Sequence, residues 1–233
     1  MQDTDACALP HGRWDIYGPI HKGLRLASTE LMIRLGRADG QDAAAVRSVL
    51  GDLREHLRIA AGHLDHEETF IHPLLAERQG AAAERLAEQH EDHRRGFGRL
   101  ERMIQTVETA GSQERPARLR ELYLAFSRFV ADDLAHMHEE ETITWPLLCA
   151  LFTDEELAAL EMRIIASIDP ATNMAIMRRM IPAMTRQERA ALLGGMQASA
   201  PPEVFRGVME GAARTTLTAA DFADLESRLS VAA

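Results

Sequence analysis

From Trp14 to about residue 150, apolar positions recur in alternating steps of three and four. That period marks helices burying one face, and no run of period two competes with it. The first stripe runs through Tyr17, His21, Leu24, Ser28, Leu31 and Leu35. The second takes Val46, Val49, Leu53, His56, Ala60, His63, Glu67, Phe70 and Leu74. The third is Leu86, His90, His93, Phe97, Leu100, Ile104 and Val107, and the fourth is Leu119, Leu122, Phe126, Phe129, Asp133, His136, Glu140, Ile143 and Leu147. Breaks at Asp39-Gly40, Gln79-Gly80 and Gly111-Ser112 separate them. Short connections between long amphipathic segments predict an all-α chain whose first domain, residues 14–150, is an antiparallel four-helix bundle.

Residues 153–233 form a second region, a C-terminal helical extension. Capping-box patterns at Thr153-Asp-Glu-Glu156 and Thr185-Arg-Gln-Glu188 open helices. Further helices are expected after Pro201-Pro202 and from near Thr218, with breaks at Asp169-Pro170 and Gly194-Gly195. Seven of the eleven methionines lie here and no histidine does. Methionine suits either the packing of short helices or an adaptable partner surface.

Composition narrows the function. The chain has 233 residues, 46% hydrophobic and 27% charged, which is a globular balance rather than a disordered one. A formal net charge of −10 without a basic stripe argues against nucleic acid. No apolar run approaches the ~20 residues of a membrane span. The first residues lack the basic and apolar segments of an export signal. Two cysteines, Cys7 and Cys149, make no disulfide framework, so a reducing cytoplasm is the expected setting. Cys7 is expected in a flexible tail and Cys149 as a small buried residue.

All four stripes carry polar residues where leucine belongs. An unpartnered buried polar or charged group costs several kcal/mol, and a metal ion is the natural compensation. An internal duplication sharpens this. Residues 63–75 and 136–148 share the frame HxxxEETxxxPLL. His63 with Glu67, and His136 with Glu140, lie four apart and point to one helix face. Pro73 and Pro146 are expected to kink or end each helix. His21 on the first stripe and His90 and His93 on the third complete a set of imidazoles and two carboxylates, donors that suit iron, manganese or zinc.

This arrangement resembles the hemerythrin family, in particular the bacterial hemerythrin-like (HHE cation-binding) domains. The resemblance covers about residues 14–150. It rests on Ile20-His21-Lys-Gly-Leu-Arg25, both HxxxEETxxxPLL segments and Gln89-His90-Glu-Asp-His93. It implies an oxo- or hydroxo-bridged di-iron centre, with manganese or zinc as lesser alternatives. His21, His63, His90 and His136 would be terminal ligands, and Glu67 and Glu140 bridges. The oxygen carriers of the family have a second histidine four residues on in the third helix, where this chain has Arg94. His93, three after His90, is the candidate to replace it, as a ligand or as a residue orienting one. The carriers also bridge with Asp at HxxxxD spacing rather than Glu140.

Other polar residues carry two readings each. His56 and Asp133 are core or ligand-orienting groups, and Asp133 is alternatively a solvated acid. Tyr17 fills the bundle end or brings its hydroxyl toward the metals. His66, His72 and His138 fall off the inward face and are expected exposed. Glu68 and Glu141 are expected on a solvated face or paired with Lys22 or Arg25. Gly23, Gly62, Gly96 and Gly98 allow close helix approach or a small channel. The spacings point only to a metal site; the resemblance implies a di-iron protein that binds or reacts with O₂, NO or H₂O₂ in sensing, detoxification or stress response. An oxidase, oxygenase or peroxidase with an organic substrate is one alternative. An iron-responsive module whose C-terminal helices contact a redox or protein partner is another.

Overall fold

A computed structural model describes residues 9–232, and Cys7 lies outside them. The described residues are helical, with no strand. The long helices are α1 (Gly18–Arg37), α2 (Ala43–His66), α4 (Gly80–Thr109) and α5 (Arg115–Glu139). Short α3 (His72–Arg78) follows α2, and α6 (Trp145–Leu151) follows α5. The rest comprises α7 (Asp154–Ser167), α8 (Pro170–Ala183), α9 (Arg186–Ser199), α10 (Pro202–Val208), α11 (Arg214–Thr216) and α12 (Ala219–Ala232). Among the described residues, no helix is long and apolar enough to cross a membrane.

The chain divides into two compact units. One takes the chain up to Tyr17 with Ala27–Ile164; the other takes Gly18–Leu26 with Ile165 onward. Within the first, the bundle core draws Leu31 and Leu35 from α1, Leu50 and Leu53 from α2, Leu100 and Ile104 from α4, and Leu122 and Phe126 from α5. A second apolar cluster gathers Tyr17, Ile71, Leu75, Leu86, Trp145, Leu148, Cys149 and Leu157. Arg13 ties down the segment before α1 by donating to Asp154 and to the carbonyls of Cys149 and Phe152.

The expected breaks at Asp39-Gly40, Gln79-Gly80, Gly111-Ser112 and Asp169-Pro170 separate helices. Asp42 and Asp169 cap α2 and α8 by accepting from two main-chain amides each, and the Thr153 and Thr185 capping boxes form. Gly194-Gly195 is not a break: α9 runs through both glycines to Ser199. The capping box and the burial of Arg189 and Leu193 outweigh the ~1 kcal/mol that each glycine costs a helix.

The prolines do something other than kink or stop the helix. Each is preceded by one widened π turn, Glu67–Ile71 before α3 and Glu140–Thr144 before α6. The amide of His72 donates to the Glu67 carbonyl, and that of Trp145 to the Glu140 carbonyl. Pro73 and Pro146 fall in the first turn of the helix that follows, where a missing N–H costs nothing. The threonine of each EET run donates to the carbonyl four residues back, Thr69 to Asp65 and Thr142 to His138. A π turn holds one extra residue, so both stripes slip by one. Ile71 and Leu75 are buried where Phe70 and Leu74 were expected, and Thr144 and Leu148 where Ile143 and Leu147 were. Ile143 is exposed.

The second unit has its own core of Met177, Ile181, Leu193, Met209, Ala212, Phe222, Leu225 and Leu229. Its methionines fill space between short helices, as one sequence reading held. Gly23 admits the backbone of Arg179 and Met180, which an added Cβ would meet at 3.0–3.2 Å. Gly62 faces open space, so close approach is not its role.

Candidate metal centre

Along the first unit, a polar layer interrupts the apolar stripes. In α2 it follows Leu53 and Leu57 and precedes Ile71; in α5 it follows Phe129 and precedes Thr144 and Leu148. His90, His136, Glu67 and Glu140 are all buried in it. One ligand atom from each of the four lies within 4.8 Å of the others. His63 Nε2 is 3.2 Å from Glu67, His90 Nε2 is 3.3 Å from Glu67 and 3.9 Å from Glu140, and His136 Nε2 is 3.4 Å from Glu140. Both oxygens of Glu67 and Nε2 of His90 are buried without a correctly directed hydrogen bond. Buried carboxylate and imidazole groups that converge this closely are what a cation can bridge.

The electrostatics agree. Burial pushes the Glu67 carboxyl well above its ordinary pKa, and Asp133 and Glu68 add to the rise. Burial does the same to Glu140, reinforced by Glu67. Two facing carboxyls in low dielectric resist ionisation until positive charge arrives.

The imidazoles are oriented from behind. His90 Nδ1 is 3.1 Å from Glu68, and His136 Nδ1 is 3.1 Å from the Gln89 side-chain oxygen. In that arrangement Nδ1 donates and the Nε2 lone pair faces the carboxylates. Arg94 donates to both oxygens of Glu68, at 2.5 and 2.6 Å, and holds its pKa below the usual carboxylate range. Arg85 pairs with Glu139 at 2.6 Å, and Glu139 accepts from the Gln89 amide at 2.9 Å, which fixes which end of Gln89 faces His136. An arginine-backed carboxylate therefore stands behind each ring. Sequence reasoning missed Glu68, Gln89, Glu139 and both arginines in this role. Glu68 meets His90 and Arg94 instead of solvent, Lys22 or Arg25. The available signals were the repeated EE doublet and Gln89 beside His90.

The remaining candidates take separate places. His93 is buried with Nδ1 2.9 Å from the Gln89 carbonyl and Nε2 3.4 Å from Asp133. Burial works against its imidazolium, but Asp133 and that carbonyl outweigh it and raise the pKa. Asp133 is buried, which removes the solvated reading. His56 meets Ser28 at 2.9 Å, in the core. His21 is fully buried on the first turn of α1, in the segment grouped with the second unit. Tyr17 is buried, and burial first, then Glu140 and Glu67, push its hydroxyl's pKa well up. It packs in the apolar cluster and also faces the carboxylates.

His72 is buried rather than exposed, its ring 4.7 Å from that of His90. The extra residue of the π turn rotates it onto the inner face. Burial, then His90, lowers its pKa to about 4, so it is neutral at pH 7. His66 is half-buried against Phe70, and His138 is exposed.

The fold and site define a protein that is all-helical over the described residues, with a buried His/Glu cluster that could hold a metal ion. No protein-family model, curated protein or solved structure matches this chain.

Proposed function

We propose that this is a cytoplasmic, non-haem di-iron protein that binds or reacts with a small oxidant or diatomic, O₂, NO or H₂O₂, in sensing, detoxification or stress response. The observation carrying this reading is the buried meeting of Glu67, His90, His136 and Glu140, with both Glu67 oxygens and His90 Nε2 lacking a directed hydrogen bond. His21 and His63 join them as ligands by their places in the resemblance. His93, turned to Asp133, belongs to the neighbouring layer. A reduced iron pair held there would supply electrons to the oxidant. The chain orients His90 through Glu68 and His136 through Gln89, and excludes water by burial. Few groups at the cluster suit a large molecule, so the ligand is small.

Anaerobic purification, metal analysis and visible spectra before and after oxygen test this. About two irons per chain, with new charge-transfer absorption on oxidation, support a dinuclear site. Zinc alone, or no metal after anaerobic ferrous reconstitution, overturns the reading. A second reading, an oxidase, oxygenase or peroxidase with an organic substrate, is favoured by one observation. A cleft of about 510 Å³ between α4 and α5 reaches His93 and His136.

A further inference from the structure

That cleft has a chemistry of its own. His93, Gly96, Arg99 and Leu100 line it from one face of α4, and Ala125, Phe129, Asp132 and His136 from one face of α5. Its volume far exceeds what a diatomic needs and falls in the range that encloses small organic ligands. Gly96 keeps the floor open beside Phe129: a Cβ there would come 2.9 Å from the Phe129 ring. The ring in turn packs edge-on to His93 at 5.7 Å between centroids. The inner wall is thus aromatic and apolar.

Charge selects the ligand. Asp92 pairs with Arg95, Asp132 with Arg128 at 2.7 Å, and Glu139 with Arg85 at 2.6 Å. Every acid lining the cleft is already neutralised. Arg99 lines it too, is exposed, and makes neither an ion pair nor a hydrogen bond among the described residues. Arg99 lies six residues from His93 on one helix, about 9 Å along the axis. A ring or short chain bearing one carboxylate spans that interval, its charge on the guanidinium fork and its apolar end on Phe129.

We propose that the α4–α5 cleft binds a small organic monocarboxylate with an apolar body, held by Arg99 beside the metal cluster. As a binding site it stands by itself; as the place of the protein's substrate it rests on the second reading, an oxidase, oxygenase or peroxidase at the metal cluster. Benzoate, with benzyl alcohol as the uncharged control, is titrated into the full chain, both metal-free and loaded anaerobically with ferrous iron. Affinity is read by calorimetry and location by amide NMR shifts. Benzoate binds both preparations, shifts Gly96 and Ala125, and binds about tenfold or more tighter than benzyl alcohol. Arg99→Gln reduces benzoate to the level of the alcohol. Ala135→Trp, at an exposed position lining the cleft, blocks both compounds. No saturable benzoate binding, shifts confined to other surfaces, or equal affinity in Arg99→Gln overturns the proposal. Iron content of the same samples separates the two claims. Benzoate binding by a chain that takes up no iron keeps the cleft and removes the metal centre, and the converse removes the cleft alone.

Discussion

Glu67 and Glu140 are buried acids whose company is mostly imidazole, so each is expected to be indispensable to metal. Replacing either by Ala removes a carboxylate ligand from the cluster. Metal per chain, measured after ferrous reconstitution, should fall sharply in both variants, while His138→Ala, at an exposed position, should match the parent. Full occupancy in both glutamate variants would remove the assignment. Glu68 is a subtler case because it acts through His90 Nδ1. Glu68→Gln keeps the size but loses the charge that Arg94 supports. Metal affinity should drop about 10–100-fold, with the iron spectrum altered rather than abolished. A competition titration against a chelator, with spectra taken at full loading, distinguishes this from plain unfolding. Glu67, His136 and Glu140 were visible in the sequence because spacing four puts His and Glu on one face, and His90 because it stands on the inward stripe of its helix. Their supporting groups were not, because Glu68 and Gln89 reach across to another helix's ring or between helices, and only packing decides such partners.

At the level of elements, the stripes located α1, α2, α4 and α5, and they stayed in register as far as Glu67 and Glu140. Beyond those residues the period changes, since each copy of the duplication inserts a π turn. Hydrophobic spacing assumes one uniform helix, so Phe70, Leu74, Ile143 and Leu147 were placed one position early and His72 was placed outside. The proline in PLL was the available sign, but it fits a kink as well as a widened turn. In an unbroken α-helix, Pro73 would press on the carbonyl four residues before it. Deleting Thr69 should therefore convert the turn to continuous helix with a proline inside, and lower unfolding stability by about 3 kcal/mol. Adding Pro73→Ala to the deletion should restore most of the loss in denaturant titrations. No recovery would mean that the turn serves only the side chains around Glu67 and not the proline. Widened turns recur at functional sites, and two of the three among the described residues occur where a carboxylate enters the cluster, while the third, Met209–Ala213, lies in the core of the second unit.

For the whole molecule, the buried acids make stability depend on pH in a direction opposite to that of most surface carboxylates. Glu67 and Glu140 hold protons in the folded, metal-free chain at pH values where the unfolded chain has released them, since burial raises both pKa values. Where the native state binds more protons, stability falls as pH rises. The two groups contribute nothing below the ordinary carboxylate range, where folded and unfolded chains are both protonated. Their penalty grows from that range upward until the raised pKa values are passed. Melting of the metal-free protein should thus weaken from mildly acidic to neutral pH. Glu67→Gln, uncharged at every pH, should flatten part of that slope and melt higher than the parent at neutral pH. Metal reverses the dependence. Binding expels the same protons, so affinity rises with pH over the same interval, and the loaded chain gains stability with free metal concentration. Thermal melts across pH, with and without ferrous iron under anaerobic conditions, read both slopes. A metal-free chain whose melting rises with pH through this interval would show that Glu67 and Glu140 are ionised and paired in the fold, leaving no charge deficit for a cation to fill.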